Sequence, residues 1–272
     1  MFRVAVLLCL AASQAHADWQ VLAPGMEFQW LAAKNPNPVG DSRIAVLRID
    51  PTSWQLELVT RSQTGESAGR TAREWANAQG LAVAINAGMF GRDFKTHVGY
   101  MEFRGHVNSG RVNEYRSVAA FDPRDRQHRP PFRIFDLDVP GITVQAIRQE
   151  YASLVQNLRL IKRPGTSRWG QQDKRWSEAA LGEDQDGRVV LVLARTPFSM
   201  HDLNRELLSA GIGLVAAQHL EGGAQAQLYV HVGGVDIEVV GQSGISVGGN
   251  EGSAIAWPIP IVLGIRQASG TH

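Results

Sequence analysis

The chain has 272 residues, 44% of them hydrophobic and 19% charged, with a formal net charge of +1. That is a globular composition, long enough for one large domain or two small ones. The near-zero charge gives no electrostatic footprint for nucleic acid or for an anionic membrane surface. The 28 glycines point to many turns and strands rather than to a helical bundle.

The first seventeen residues, MFRVAVLLCLAASQAHA, have the anatomy of a secretory signal: a positive start at Arg3, a short apolar run from Val4 to Ala12, and the small-x-small pattern Ala15-His16-Ala17. Cleavage is expected before Asp18. The apolar run is too short for a lasting membrane span, so no integral membrane segment is expected after cleavage. Cys9, the only cysteine, leaves with the signal, which removes disulfides, thiol nucleophiles and cysteine metal sites from consideration. Losing Arg3 takes Lys+Arg from 27 to 26 against 26 Asp+Glu, a formally neutral mature chain. The expected location is exported, either periplasmic or secreted.

Along the rest, Asn35 to Ser42 is a turn-rich loop. RIAVLRID (43–50) and WQLELVT (54–60) alternate apolar and polar residues around Pro51-Thr52-Ser53 and predict a hairpin. TAREWANAQG predicts a short helix stopped at Gly80, and LAVAIN (81–86) a buried strand. Further strands are predicted around 98–103 and 118–121. The stretch 144–160 has helical spacing early and strand-like alternation late. GRVVLVLAR (187–195) predicts a strand. Ser199 and Asp202 open a helix as a capping pair, Leu203, Leu207 and Leu208 give its apolar face, and Gly211 ends it. HLEGGA (219–224) sits between two apolar runs and predicts a hairpin tip. GQSGISVGGNEGSA predicts turns, and IPIVLGIR a final strand.

Strands dominate, with two clear helices and no βαβαβ alternation. The predicted fold class is therefore α+β: mixed, largely antiparallel sheets with a few flanking helices, in one domain over residues 18–272.

Three segments in order carry a family likeness: AINAGMF (84–90), VGYMEFRGHVNSG (98–110) and AAQHLEGGAQAQLYV (216–230). Together they resemble the phosphodiester glycosidase family, whose members include a lysosomal enzyme that removes N-acetylglucosamine from a phosphodiester. The likeness spans roughly residues 40 to 266 and is nearest to a secreted bacterial branch. It implies a mixed α/β domain with its cleft formed by strand-end loops. It also implies catalytic roles for Glu221, Asn86 and Arg175, and substrate contacts at Gly88, Gly99, Gly222 and Gly223. The implied function is an exported hydrolase that cleaves a glycosyl phosphodiester, such as an N-acetylglucosamine-linked one, in envelope or exopolysaccharide metabolism. The alternative is a catalytically silent envelope protein of the same fold that binds carbohydrate or phosphate.

The chemistry suits those residue types. Phosphate leaves an anomeric carbon easily, so the site needs donors or positive charge on the phosphate and a carboxylate near the carbon or its attacking water. Glu221 supplies a carboxylate, the Gly222 and Gly223 amides can approach an anion, and Arg175 can grip a phosphate in bidentate fashion. Asn86 can orient a sugar hydroxyl or the water. His97, His106, His201, His219 and His231 offer a second route, with Asp93 or Asp202 as further ligands, but their spacing fits no zinc signature. A hard divalent cation held by carboxylates and carbonyls is compatible with the chain, and no other cofactor is indicated. His219 and Glu221, two apart on a strand, are expected on one face. No G-x-S-x-G, Walker loop or dinucleotide fingerprint occurs.

Overall fold

The computed structural model describes residues 19–242 and 255–268. The secretion signal expected over 1–17 and most of the glycine-rich turn segment fall outside those residues. Among the described residues, three antiparallel sheets make up the body. The first runs in the order β1 (Gln20–Ala23), β2 (Met26–Ala32), β3 (Arg43–Ile49), β14 (Val189–Phe198), β13 (Trp176–Asp184), β15 (Leu214–Gly222), β11 (Arg159–Lys162), β12 (Thr166–Ser167). The second is β7 (His106–Ser109), β6 (Met101–Phe103), β10 (Tyr151–Asn157), β8 (Ser117–Pro123), β9 (Phe132–Asp136). The third is β17 (Val235–Val240), β16 (Gln227–Val232), β5 (Val83–Asn86), β18 (Ile261–Gln267), β4 (Trp54–Thr60). This is the α+β, largely antiparallel class that the sequence predicts.

One face of each sheet turns inward to a shared core. Leu47, Leu181 and Leu193 from the first sheet meet Phe121 and Val155 from the second and Ile85, Leu228 and Leu263 from the third. The outer faces are covered by helices. α4 (Met200–Ser209) packs Leu203 and Leu207 against Val192 and Ala217 of the first sheet. α3 (Val144–Glu150) packs Ile147 against Val118 and Leu154 of the second, and α2 (Ala72–Gln79) packs Trp75 and Ala76 against Ala84 and Val262 of the third. Alternating residues thus serve two cores: Val83 and Ile85 face inward, while Ala84 faces α2. The caps follow the sequence: Thr71 and Glu74 close a capping box on α2, and Ser199 accepts from the Asp202 amide at the start of α4. The short α1 (Arg61–Thr64) follows β4 directly and was not predicted.

Two predicted hairpins are corrected. Arg43–Ile49 and Trp54–Thr60 are both strands, but β3 pairs with β2 and β14, whereas β4 pairs with β18 in another sheet. The HLEGGA segment behaves likewise: β15 ends in the first sheet, a 3-10 turn over Gly223–Gln225 redirects the chain, and β16 starts in the third. Alternation shows that each segment is half-buried, not which strand it pairs with, and both turns serve as corners between sheets. No helix among the described residues is long and apolar enough to cross a membrane.

Candidate active site

The inner face of the first sheet carries a buried polar network where the three sheets meet. Gln218 on β15 donates to Ser117 Oγ of β8 (3.4 Å) and accepts from Asn157 Nδ2 at the end of β10 (2.8 Å). Asn157 Nδ2 also donates to the Ala87 carbonyl just past β5 (3.0 Å). With both amide hydrogens used, Asn157 Oδ1 faces His97 Nε2 at 3.1 Å, so that ring nitrogen carries the proton. His97 Nδ1 accepts the Gly99 N–H (3.1 Å). His97 is thus a neutral imidazole, and burial pushes its pKa below the ordinary value against the opposing pull of Gly99 and Asn157.

That network explains two glycines. A Cβ on Gly88, whose φ is +148°, would lie 2.4 Å from Asn157 Oδ1 and 2.5 Å from His97 Nε2. A Cβ on Gly99 would lie 2.5 Å from the Gln156 carbonyl. Both positions are filled by the protein's own groups. Asn86, one residue before Ala87, is 2% exposed. Its Oδ1 accepts from the Gln227 N–H (3.1 Å), while its Nδ2 is buried with no hydrogen-bond partner among the described residues. Ile85 and Ala87 on either side of it face the central core, so the Asn86 side chain lies on the α2-facing side of the sheet with Ala84 and Val262.

Glu221 stands near the end of β15, half-buried, with its Oε1 accepting the Gly222 N–H at 3.0 Å. That bond occupies the amide that the sequence offered to a substrate anion. Burial pushes the Glu221 carboxyl above the ordinary carboxylate value; the Gly222 bond and His219 oppose this, and Glu178 adds to it. Tyr115, in the loop ahead of β8, lies within the field of Glu221. Burial chiefly raises its phenol pKa, Glu114 and Glu221 add to that, and Arg111 opposes it.

The shared face expected for His219 and Glu221 is corrected by a bulge. His219 is opposite Ala180 and Glu221 opposite Ala179, so three residues of β15 span two of β13, with Leu220 extra. Ala179 faces the central core and Ala180 faces α4. Opposed residues share a face, so Glu221 points inward and His219 outward. On that outer face His219 Nδ1 is hydrogen-bonded to Glu178 Oε1, and Trp176 Nε1 donates to Glu178 Oε2 (2.6 Å). Glu178 lifts the His219 pKa above the ordinary value, overcoming the burial that acts against it, and Glu221 adds to the rise. A Cβ on Gly222 would lie 2.5 Å from Trp176 Cδ1, so this glycine accommodates an indole. Gly223, with φ +65°, opens the corner turn.

The structure therefore sets Gly88 and Gly99 against the inner-face network and turns Glu221 to the same inner side, whereas Asn86, expected in the site, is corrected: it opposes Val262 and lies with Ala84 on the α2-facing side of the third sheet. Arg175 is held elsewhere: its Nη2 pairs with Asp202 Oδ2 of α4 at 2.9 Å. The histidines are dispersed. His106 bonds Ser62 Oγ, His201 bonds the Trp169 carbonyl and His231 bonds Asp236. Among the described residues, no three His, Cys, Asp or Glu side chains are grouped to hold a metal ion. Sequence reasoning did not single out Asn157, Gln218, Tyr115, Trp176 or Glu178; a run of polar residues inside otherwise apolar strands, Gln156-Asn157 and Gln218-His219, was the available signal.

The comparisons with known proteins agree with this architecture. The catalytic domain of a zebrafish N-acetylglucosamine-1-phosphodiester alpha-N-acetylglucosaminidase, auto-inhibited by its pro-peptide, superposes with a TM-score of 0.66 at 14% identity, over 90% of this chain and 85% of that one. A Synechocystis protein gives 0.60 at 15% identity, over 93% of this chain and 64% of that one. A Burkholderia pseudomallei protein described as exported gives 0.54 at 13% identity, over 88% and 74%. At those identities the likeness is one of fold. No curated protein matches the chain in sequence. The sequence pattern of the phosphodiester glycosidase family matches residues 79–266, from the end of α2 through β18, and so the chain belongs to the phosphodiester glycosidase family.

Proposed function

We propose that the protein is a hydrolase that cleaves the bond between a sugar and a phosphodiester, with Glu221 as its catalytic carboxylate. The observation that carries this is the placement of Glu221: an inward-facing carboxyl on a bulged strand end, with its pKa raised by burial. A carboxylate of that kind takes a proton from an attacking water more readily than an exposed one. Water adds at the anomeric carbon, the bond from that carbon to the phosphate oxygen breaks, and its electron pair leaves with the phosphate.

The phosphate needs a cation. The sequence offered Arg175 for this part, and in the structure its guanidinium is engaged by Asp202 of α4. The zebrafish relative acts on an N-acetylglucosamine phosphodiester, which supports that sugar as the first substrate to try. The anatomy of residues 1–17 supports action outside the cytoplasm, on envelope or exopolysaccharide material.

The test is sugar release from an N-acetylglucosamine phosphodiester by the purified protein, with and without chelator, beside Glu221→Gln. Release by the wild type and none by the variant is the expected result. Equal release by both would remove Glu221 from its role. A folded wild type that binds the sugar phosphate without releasing product would make the chain a binding protein of this fold, and loss of release on chelation would add a divalent cation to the site.

A further inference from the structure

The outer face of β13 and β15 carries a chain of side chains that is separated from the inner-face site by the sheet itself. Trp176 donates to Glu178, Glu178 holds His219, and the Trp176 ring lies against Gly222. His219 and Glu178 are buried, 4% and 1% exposed. The backbone N–H of His219 is fixed as well, donating to the Leu158 carbonyl at 2.8 Å. These contacts bracket Glu221: one anchor lies two residues before it and another one residue after it.

What they bracket is the bulge at Leu220. Without it, regular pairing onward from His219 and Ala180 would set Leu220 opposite Ala179 and Glu221 opposite Glu178. A slip of one residue moves a side chain to the other face of a sheet. Glu221 would then leave the inner face and stand against a second carboxylate in a buried place, where like charges directly opposed are unfavourable. Glu178 acts in both directions: it attracts His219 into the bulged register and repels Glu221 from the regular one.

We propose that Trp176, Glu178 and His219 are positioning residues that lock this bulge and thereby hold Glu221 on the inner face. None of the three touches the substrate in this arrangement. Their effect on hydrolysis is through the fraction of molecules in which Glu221 is in place.

The experiment reads register and rate together in the full protein. Cross-strand proton contacts by NMR report which β15 residue is opposite Ala179. The wild type should show Glu221 there. In His219→Leu and Glu178→Gln, a measurable part of that contact should move to Leu220. In the same variants kcat should fall on the order of tenfold or more with KM nearly unchanged, because displacement of a catalytic group by an ångström or more is costly. His219→Gln, which can still donate to Glu178, should recover both readouts. Where the two disruptive variants fail to fold, Trp176→Phe, which loses the indole N–H together with the pyrrole ring against Gly222, is read in the same way. Variants that fold with the Ala179–Glu221 contact intact would overturn the proposal. The kinetic arm rests on the assignment of Glu221 as the catalytic carboxylate. The register arm does not, so an inactive wild type would defeat that assignment and leave the lock still open to test.

Discussion

His97 Nε2 and Asn157 Oδ1 stand 3.1 Å apart in the core, where their side chains tie the loop after β5 to the end of β10. Every polar atom of the pair is spent, on each other, on Gly99, on Ala87 or on Gln218. The pair is a strut under the Asn86–Gly88 backbone, and its loss should be felt in stability before it is felt in binding. Asn157→Ala would leave the His97 N–H, the Gln218 carbonyl oxygen and the Ala87 carbonyl without partners. Each such buried group costs about 1–3 kcal/mol, so denaturant titration should show a loss of about 3 kcal/mol or more.

The same strut makes the fold sensitive to acid. The folded pKa of His97 lies below the ordinary 6.5, so the unfolded chain takes up the proton first. The stabilisation is therefore present above about pH 6.5 and is lost as pH falls from there toward the folded value. His219 works in the opposite sense. Its folded pKa is raised above 6.5, so its contribution is present below that value and is lost as pH rises through the folded pKa. Thermal midpoints measured from pH 8 to pH 5 should fall on the acid side in the wild type and fall less in His97→Gln.

Gly88→Ala tests the close approach directly. The added methyl would meet Asn157 and His97 at 2.4 and 2.5 Å, and the backbone would be held at a positive φ. Overpacking of this kind costs about 1–3 kcal/mol, and thermal unfolding should show it. An alanine protein as stable as the wild type would mean that the strut is able to move aside.

Glu221 carries its raised pKa at a cost to the folded state. A carboxyl whose folded pKa lies above its unfolded value loses stabilisation as pH rises through the interval between them. Glu221→Gln should therefore be inactive and, at neutral pH, more stable than the wild type by on the order of 1 kcal/mol. Calorimetry beside the sugar-release assay checks both halves; a variant that loses activity and stability together would point to a structural role instead.

Much of the fold was legible because its signals are local. The Thr71 and Ser199 caps, the Gly80 stop and the two-residue alternation of Trp54–Thr60 are each written within a few neighbouring positions. The mixed periodicity of 144–160, ambiguous in the sequence, resolves into two elements, with α3 ending at Glu150 and β10 starting at Tyr151. What was not legible depends on distant partners. Nothing within residues 43–60 says that β3 inserts beside β14 while β4 goes to β18. Glu221 stood out in the sequence because a carboxylate at a turn that does not require one is conspicuous. Its face was missed because a bulge is a property of two strands, and the Glu178–His219 pair was missed because its members are 41 residues apart.

The family pattern begins at residue 79, yet β3 and β4 lie before it. β3 is the strand that covers β14, and β4 is the strand that covers β18. A chain trimmed to the matched residues would therefore expose two long apolar edges, each ready to recruit a strand from a neighbouring molecule. For anyone producing the protein, residues 43–60 are not an appendage but the seal on two sheets, and a shortened version should be recovered as aggregate rather than as a smaller folded protein.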